Sequence, residues 1–423
     1  MTFKIITLGC KVNIYESEVM KEKLLQAGFK ETIDNSDIVI INTCSVTNMA
    51  DVKSRKMIRR EKKENPQSIL AVCGCSAENH RLELEDLGID ILIGNKDKSN
   101  IVSLIREYQN DHKPIIKFYD TRKLPFEDME VDKFTSHTRG FIKIQDGCNN
   151  YCSYCIIPYV RGNIRSKDIN VALKEAQELV ANNHKEIVLT GIHTGSYGVG
   201  YDFDLVDLIN KMSTIPGLKR IRLSSIEITE LNDKFMELLK NNTILCDHLH
   251  IPLQSGSEKI LKLMNRKYDK SRYESIINQI RAIRPEISIT TDVIVGFPGE
   301  TESDFNECLD FCRKIKYAKI HVFPYSKREG TKAASMPNQL DNKTKKDRAR
   351  KLIELSNELE EAYNQKFLGR NMDVLVEEYK DSCSIGHTSN YLKVVIETKV
   401  PTNEFYNVKI TKTSSSEVTG KIN

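Results

Sequence analysis

The stretch DGCNNYCSYCIIPYVRG, residues 146–162, decides the fold of this chain. Its three cysteines, Cys148, Cys152 and Cys155, directly follow FIKIQD at 141–146, whose apolar character predicts a buried strand. Barrels of parallel strands build their active sites at the carboxyl ends of those strands. The cysteine loop therefore predicts a metal or cofactor site at the end of the first strand of a barrel.

Five more apolar stretches of strand length follow the loop, at 186–191, 220–225, 249–254, 288–297 and 318–326. Segments of helical character separate them, at 169–182, 203–213, 229–240, 257–283 and 301–315. Regular alternation of strands and helices is typical of βα units around a parallel sheet. We expect a (β/α)6 barrel or partial barrel, and the pattern leaves open whether it closes.

The residues before the cysteine loop also alternate. Apolar strands are predicted at 3–9, 37–43, 68–74 and 91–94, with helices between them. Continuous apolar strands are typical of a parallel sheet covered on both faces, so we expect a doubly wound α/β domain at 1–112. Residues 113–135 lose the alternation, contain two prolines and many charges, and are predicted to be a linker.

The end of the chain changes character. Residues 341–368 are highly charged, with apolar residues near helical spacing, and predict a long connecting helix that completes a central unit at 136–368. After Gly369 the apolar residues alternate with period two, as in MDVLVEEY and YLKVVIET. Short alternating strands predict a small β-barrel at 369–423.

Composition narrows the class of protein. The chain has 423 residues, 29% charged and 39% apolar, which indicates two or three globular domains. No window approaches the roughly 18 apolar residues that a membrane span needs. The start, MTFKIITLGC, lacks the pattern of a secretory signal, so we expect a cytoplasmic protein that does not interact with membranes. The net charge of +4 is too small to indicate a nucleic-acid partner by itself.

A second set of cysteines lies at the ends of the first domain's strands. Cys10, Cys44 and Cys75 each follow a predicted strand, and such ends share one edge of a parallel sheet. Cys73 lies two residues before Cys75 and competes for the third place. Eleven cysteines without an export signal argue against a disulfide framework. The other four are interpreted as packing residues: Cys246, Cys308, Cys312 and Cys383.

The number of ligands distinguishes the possible metals. A [4Fe–4S] cube takes four ligands, usually thiolates. The loop of Cys148, Cys152 and Cys155 supplies three, which leaves one iron open to an outside ligand. Structural zinc is the alternative, but it commonly takes two Cys-x2-Cys pairs, and only one such pair is present.

The residues resemble the radical S-adenosylmethionine methylthiotransferase family. The Cys-x3-Cys-x2-Cys loop carries the radical signature, and LGCKVN, NTC and GCSA resemble the cluster-binding motifs of the family's N-terminal domain. TGIHTGSYG, RLSSIE, HIPLQSGS, LKLMNRKY, VIVGFPGE and FPYSKREGTKAASM follow in the family's order, and the C-terminal stretch resembles a TRAM β-barrel. The resemblance selects Cys75 over Cys73. It implies two [4Fe–4S] clusters, one on Cys10, Cys44 and Cys75 and one on the loop cysteines.

The resemblance also implies a reaction. The loop cluster reduces S-adenosylmethionine to a 5′-deoxyadenosyl radical, the N-terminal cluster carries the sulfur, and a second S-adenosylmethionine donates the methyl group. The implied substrate is a tRNA anticodon stem-loop, and the closest branch modifies C2 of N6-threonylcarbamoyladenosine at position 37. An electron donor such as flavodoxin or ferredoxin and a sulfur donor are further implied partners.

Five residues are candidates for binding S-adenosylmethionine. Tyr154 lies between two cluster ligands and either packs on the adenine or only fills the loop. Gly191 and Gly296 follow strands and permit close backbone approach, although glycine is also the ordinary turn residue. Ser225 and Glu227 follow the third barrel strand and are candidates for the ribose or the amino group, against ordinary roles as a helix cap or a surface acid.

Several alternatives stay open at this point. The same chemistry acts on isopentenyladenosine in tRNA or on a ribosomal-protein aspartate in neighbouring branches. A non-catalytic zinc protein that binds RNA and an iron–sulfur redox protein without S-adenosylmethionine are more distant. Basic runs at 53–63 and 343–351 are either solvated helix faces or RNA phosphate contacts. Residues 371–423 of the C-terminal module include six Lys and no Arg against seven acidic residues, which argues against a dominant electrostatic role for the module.

Overall fold

The N-terminal unit of the computed structural model, which describes residues 1–45, 48–134 and 137–422, is a parallel sheet of six strands in the order β2-β1-β3-β4-β5-β6. The strands are β1 (Thr2–Thr7), β2 (Lys30–Glu31), β3 (Ile38–Thr43), β4 (Ile69–Gly74), β5 (Ile91–Ile93) and β6 (Ile115–Lys117). In this order the chain changes direction across the sheet between β1 and β3. Open α/β sheets bind ligands in the crevice at this switch point.

Helices cover both faces of this sheet, which confirms the doubly wound prediction. They are α1 (Lys11–Gln26), α2 (Asn48–Glu64), α3 (Cys75–Asn79), α4 (Arg81–Glu85) and α5 (Ile101–Asp111). Helices α1 and α5 pack on one face, through residues such as Met20 and Leu104. Helices α2, α3 and α4 pack on the other, where Ile58 and Leu84 are buried.

The segment predicted as a linker differs from that expectation. Its residues Ile115–Lys117 form the edge strand β6, which pairs with β5. Farther along, the Met129 carbonyl accepts hydrogen bonds from the Tyr15 hydroxyl and from Lys167 Nζ, each over 2.6 Å. An edge strand of three residues is too short to show a periodic pattern, and the later contacts depend on distant residues. The segment therefore packs between the two larger units.

Six parallel strands form the central partial barrel, as predicted. They are β7 (Gly140–Asp146), β9 (Glu186–Gly191), β10 (Arg220–Leu223), β11 (His248–His250), β12 (Ser288–Val295) and β13 (Lys319–Pro324), while the antiparallel β8 (Arg165–Ser166) lies beside β7. They form two sheets, β10-β9-β7-β8 and β11-β12-β13, joined by a parallel bridge between Ile221 and Leu245. Within the described residues, no pairing closes the barrel between β7 and β13.

Eight helices accompany these strands in the part of the chain that the structure describes. They are α6 (Ile157–Val160), α7 (Ile169–Ala181), α8 (Leu205–Met212), α9 (Asp233–Asn241), α10 (Glu258–Leu263), α11 (Lys270–Ile283), α12 (Glu302–Ile315) and the long α13 (Asn342–Asn364). The single helix predicted at 257–283 is wrong, because the chain leaves the helix between α10 and α11. Asn265 in this break has a left-handed backbone with φ of 62°. None of the helices of the described residues is long and apolar enough to cross a membrane.

The C-terminal residues form the predicted small barrel, which closes in the order β14-β15-β16-β18-β17. Its strands are β14 (Asn371–Lys380), β15 (Cys383–Thr388), β16 (Lys393–Ile396), β17 (Phe405–Thr413) and β18 (Val418–Ile422). Arg222 donates to the carbonyls of Thr388 and Ser389, and the Asp247 backbone N–H donates to the Ser389 hydroxyl. Asp247 precedes β11, so this barrel covers the amino ends of the central strands. The cysteine loop lies at the opposite end.

Candidate active site

Backbone hydrogen bonds fix the cysteine loop after β7. The Cys148 N–H donates to the Gly162 carbonyl over 3.0 Å, and the Ser153 N–H donates to the Met264 carbonyl over 3.0 Å. Gly147 opens the loop with φ of 72°, and a Cβ atom there would lie 1.9 Å from the Asn163 carbonyl oxygen. Only glycine fits this close approach with a left-handed backbone.

Nitrogen donors surround the thiols of the loop. Arg266 Nη1 donates to Cys152 Sγ over 3.3 Å, and the Asn150 N–H donates to Cys148 Sγ over 3.5 Å. Burial, followed by the nearby Cys152 thiol, raises the pKa of Cys155 to about 12. The thiols are thus close enough to repel one another as thiolates. Bound iron overcomes this raised pKa, because a thiol that coordinates a metal loses its proton.

The N-terminal cysteines lie at the switch point of the first sheet. Cys10 follows β1 at the start of α1, and Cys44 follows β3. Asn13 Nδ2 joins these two strand ends, since it donates to the Leu8 carbonyl over 2.7 Å and to the Thr43 carbonyl over 2.9 Å. The two cysteines therefore flank the ligand crevice that this topology provides.

Cys73 and Cys75 occupy different environments. Cys73 lies in the apolar core with Phe3 and Ile38, and burial raises the pKa of its thiol to about 12. Cys75 opens α3, and its Sγ accepts a hydrogen bond from Arg161 Nε over 3.1 Å. A positive donor stabilises a thiolate, whereas an apolar core disfavours one. The surroundings therefore favour Cys75 as the third member of the set.

The two cysteine sets meet at the interface between the first sheet and the partial barrel. Cys75 packs with Ile156 and Val160, and Ile156 directly follows Cys155. From the other side, Arg328 lines a cavity together with Cys155. Its Nη2 donates over 2.8 Å to the hydroxyl of Ser45, the residue after Cys44.

A buried network of charges holds this interface together. Arg161 Nη1 donates to Glu16 over 2.8 Å and to Asp146 over 3.2 Å, and Lys143 bridges the same two carboxylates over 2.8 and 2.7 Å. Lys98 also contacts Glu16. Burial alone would raise the pKa of both carboxyls, but Arg161 and Lys143 hold both below their usual range. Arg165 Nη2 also lies 3.3 Å from Asp146. Four cations therefore face two carboxylates, so the network favours a further negative group such as a thiolate beside it.

The donor sets fit iron–sulfur clusters. Each set has three cysteines and at least one nitrogen donor directed at a sulfur atom, and hydrogen bonds to sulfur are a usual feature of protein-bound clusters. Among residues 1–45, 48–134 and 137–422, no three His, Cys, Asp or Glu side chains are gathered closely enough for one metal ion. A cube of four irons is larger than one ion and binds thiols that lie farther apart.

A cavity of 190 Å³ opens beside the loop, at the carboxyl ends of β11, β12 and β13. Its lining includes Tyr154, Gln254, Ile294 and Tyr325. Tyr154 therefore lies where a ligand of the loop cluster would extend. The ring is half-buried, and burial raises the pKa of its hydroxyl well above the usual value.

Among the other residues predicted to bind S-adenosylmethionine, Glu227 lies close to the cysteine loop. Glu227 accepts a hydrogen bond from Arg266, which itself contacts Cys152. Ser225 is half-buried and is not a helix cap within the described residues, because the next two helices are capped by Glu227 and Asn232.

The two glycines lie against this chain's own side chains. A Cβ atom on Gly191 would lie 3.0 Å from Gln145 Cβ, and one on Gly296 would lie 2.5 Å from Lys345 Cγ. These close approaches account for glycine at both positions without a ligand.

Four site residues carried no role in the sequence-based prediction: Arg161, His193, Arg266 and Arg328. All four lie within the motifs quoted above, and that position was the available signal. His193 Nδ1 lies 3.8 Å from Cys148 Sγ, and its Nε2 lies 2.6 Å from Glu230. Burial would lower the pKa of His193, but Cys148 and Glu230 raise it to about 10.

Known protein families match two parts of the chain. The profile of the Radical SAM superfamily matches residues 142–312, which include the cysteine loop and most of the partial barrel. The profile described as Uncharacterized protein family UPF0004 matches residues 2–94, which include the N-terminal cysteines.

Curated relatives match nearly the whole chain. The threonylcarbamoyladenosine tRNA methylthiotransferase MtaB of Bacillus subtilis is 41% identical over 96% of this chain and 93% of the relative. The tRNA-2-methylthio-N(6)-dimethylallyladenosine synthase of Clostridium tetani is 36% identical over 99% and 96%. A solved radical S-adenosylmethionine methyltransferase, TsrM from Kitasatospora setae, shares the fold with a TM-score of 0.57 at 14% identity, over 79% of this chain and 76% of that one. The chain belongs to the radical S-adenosylmethionine methylthiotransferase family.

Proposed function

We propose that this protein is a tRNA methylthiotransferase that inserts a methylthio group at C2 of N6-threonylcarbamoyladenosine at position 37 of the anticodon loop. The observation that carries the proposal is the meeting of two three-cysteine sets at one interface, where Cys75 packs beside the residue that follows Cys155. Generation of the radical needs only one such set. The identity to relatives named for the threonylcarbamoyl substrate, 41% for the first, supports this branch.

We further propose two [4Fe–4S] clusters, one held by Cys148, Cys152 and Cys155 and one by Cys10, Cys44 and Cys75. When bound, the loop cluster and S-adenosylmethionine supply a 5′-deoxyadenosyl radical, and the second cluster supplies sulfur. The protein contributes binding, orientation and exclusion of water.

The surrounding side chains have roles that follow from their contacts. Arg161 donates to Cys75 Sγ and holds that sulfur in place inside a buried interface. Arg266 donates to Cys152 Sγ, and Glu227 fixes the orientation of its guanidinium. Tyr154 and Tyr325 narrow the cavity beside the loop, which limits water around a reactive ligand.

Other features belong to the same proposal. The N-terminal unit would carry the sulfur, the partial barrel would generate the radical, and the C-terminal barrel would be a TRAM-like module. The loop cluster would receive electrons from flavodoxin or ferredoxin, and a separate donor would restore the sulfur. With tRNA as the substrate, we place the enzyme in the cytoplasm.

The test is an anaerobic assay with the reconstituted enzyme, S-adenosylmethionine, dithionite and tRNA carrying threonylcarbamoyladenosine, followed by mass spectrometry of the nucleosides. We expect the 2-methylthio product and 5′-deoxyadenosine. The matched control replaces Cys10, Cys44 and Cys75 with Ala, which should retain 5′-deoxyadenosine and lose the methylthio product.

Two alternative substrates are included in the same assay. A methylthio product formed only on tRNA with isopentenyladenosine would assign the chain to the neighbouring branch. One relative named for that branch is 36% identical to this chain. Product only on a ribosomal protein would contradict the tRNA assignment altogether.

A further inference from the structure

A cleft of 1090 Å³ opens at the interface that holds the two cysteine sets. Helices α2 and α3 and the residue Tyr159 form one part of its wall, and the segment between β13 and α13 forms the other. Its lining includes the exposed cations Lys327 and Lys332, neither of which forms an ion pair within the described residues. The cleft is large enough for a nucleotide and lies directly outside the candidate active site.

Arg328 connects this cleft with the cavity beside the cysteine loop, because it lines both. The residue is only 5% exposed. Its Nη2 donates to Ser45 and Asp51, but its Nε and Nη1 have no hydrogen-bond partner within the described residues. A buried donor without a partner is strongly unfavourable, so these two nitrogens are suited to donate to an oxyanion that enters from the cleft.

Two exposed aromatic rings lie beside the same opening. Tyr159 is 53% exposed and lines the cleft, and Tyr151, in the cysteine loop, is 43% exposed. Their ring centroids are 6.0 Å apart in an edge-to-face arrangement. Exposed aromatic rings next to cations are the usual platform for unstacked bases of single-stranded nucleic acid.

Helix α2 extends this surface away from the cleft. Its first residue, Asn48, lines the cleft, and its buried side is formed by Asp51, Ser54, Ile58 and Glu61. Four exposed cations on its other side form no ion pair in the described part of the chain: Lys53, Lys56, Arg59 and Lys63. We call these four residues the α2 basic face.

The remaining cations of α2 do have partners. Arg55 pairs with Glu83 and Arg60 pairs with Glu64, while Lys62 donates to the carbonyl of Gly88. The α2 basic face is therefore a distinct row of uncompensated charge that begins near the cleft.

We propose that the cleft and the α2 basic face together bind the anticodon loop. Tyr159 stacks on an unpaired base, the α2 basic face contacts backbone phosphates, and Arg328 binds an oxyanion of the nucleotide that enters the cavity. That oxyanion is either a backbone phosphate or the carboxylate of the threonylcarbamoyl group. This inference rests on the proposed function, because it assumes a tRNA substrate.

The first experiment measures binding of a fluorescent anticodon stem-loop RNA to the reconstituted enzyme at several salt concentrations. The variant carries Lys56→Gln, Arg59→Gln and Lys63→Gln. Each lost phosphate contact reduces the slope of log K against log salt by roughly 0.7 for single strands. We expect affinity at least about tenfold weaker and a slope lower by about 2.

The matched control removes the same residue types from outer helices of the barrel, as Lys211→Gln, Lys240→Gln and Arg272→Gln. All three are exposed and form no ion pair among the described residues. We expect affinity within about twofold of the wild type, since these side chains lie away from the cleft.

The second experiment identifies the ligand of Arg328 with two RNAs, one with threonylcarbamoyladenosine and one with plain adenosine at position 37. Equal weakening of both by Arg328→Gln identifies a phosphate, and weakening of only the first RNA identifies the carboxylate. Unchanged binding of both would contradict the role of Arg328. Arg328→Lys and the iron content of each variant separate this effect from misfolding. Tyr159→Ser should weaken both RNAs about tenfold, whereas Tyr159→Phe should not.

The outcomes separate this inference from the proposed function. If the wild type binds the stem-loop RNA and the α2 variant binds equally tightly, the docking site is wrong and the enzyme activity stands. If the wild type binds neither RNA, both the docking site and the tRNA substrate are wrong.

Discussion

Arg161 Nε donates a hydrogen bond of 3.1 Å to Cys75 Sγ, and this contact joins the loop after the first barrel strand to the N-terminal sheet. The same guanidinium binds Glu16 and Asp146, so one side chain links a candidate cluster ligand to the charges that hold the interface. Stability and cofactor binding therefore depend on the same residue.

Replacing Arg161 with Met should destabilise the protein by about 3–5 kcal/mol, because it leaves the buried Glu16 and Asp146 carboxylates with fewer partners. The measurement is the urea midpoint under anaerobic conditions, together with the spectrum of the N-terminal cluster. The exposed Arg272→Met is the control and should change stability by less than about 0.5 kcal/mol. Equal stability of Arg161→Met and the wild type would show that the network is not needed.

Cys75 and Cys73 should differ sharply in iron binding. The reconstituted wild type should hold about eight irons, four per cube. Cys75→Ala should reduce this to about four, because the N-terminal cube loses a ligand. Cys73→Ala removes a thiol from the apolar core and should retain about eight. Loss of iron in Cys73→Ala with retention in Cys75→Ala would reverse the assignment.

Gly74→Ala should disrupt the turn that presents Cys75. Gly74 has φ of 101°, and a Cβ atom there would lie 2.4 Å from the Thr43 carbonyl oxygen. We expect more than about 2 kcal/mol of destabilisation and loss of iron from the N-terminal set. Gly28→Ala is the control, since Gly28 has φ of 86° but no atom of the described residues lies within 4 Å of its Cβ position. Gly28→Ala should cost about 1 kcal/mol, the strain of the backbone alone, and should keep the iron. Similar melting temperatures for the two variants would contradict the steric argument.

The Asp304 carboxylate should stabilise the start of α12 in a pH-dependent way. Burial would raise the pKa of this carboxyl, but Lys259, Thr301 and Ser257 lower it to about 2. A lowered pKa contributes stability above pH 4 that is lost as the pH falls through 2. Asp304→Asn should therefore cost about 1–2 kcal/mol at pH 7, and its difference from the wild type should shrink towards pH 2.

The control for this pH dependence lies on the same helix. Asp310 is exposed and, among the described residues, pairs only with Arg313. Melting of the cluster-free Asp310→Asn variant should follow the wild type at every pH. A constant gap between Asp304→Asn and the wild type from pH 7 to pH 3 would contradict the assigned pKa.

Local patterns predicted most of the architecture. Continuous apolar stretches gave five of the barrel strands nearly to the residue, because short apolar stretches bounded by turn residues are typical of buried parallel strands. The period-two alternation of apolar residues after Gly369 predicted the small C-terminal β-barrel. The break between α10 and α11 was missed, because Arg266 leaves the helix to reach Cys152, a contact 114 residues away in the chain.

The sequence pattern did not predict which charged side chains of the site are buried. Glu16 and Lys98 are 82 residues apart, and each looks locally like an ordinary solvated side chain. Only tertiary packing makes them fully buried partners. Arg328 was missed for the same reason, since its contacts to Ser45 and Asp51 cross more than half of the chain.

The covalent distance between Glu16 and Arg161 has a consequence for synthesis of the protein. Arg161 is 145 residues downstream of Glu16, and ribosomes add about 5–20 residues per second. For roughly 7–30 s the N-terminal unit lacks Arg161, so Glu16 on α1 is without one of its three cationic partners. The sheet should therefore stay open at that edge until the first barrel loop emerges, a period in which its cysteines are accessible to machinery that delivers iron and sulfur.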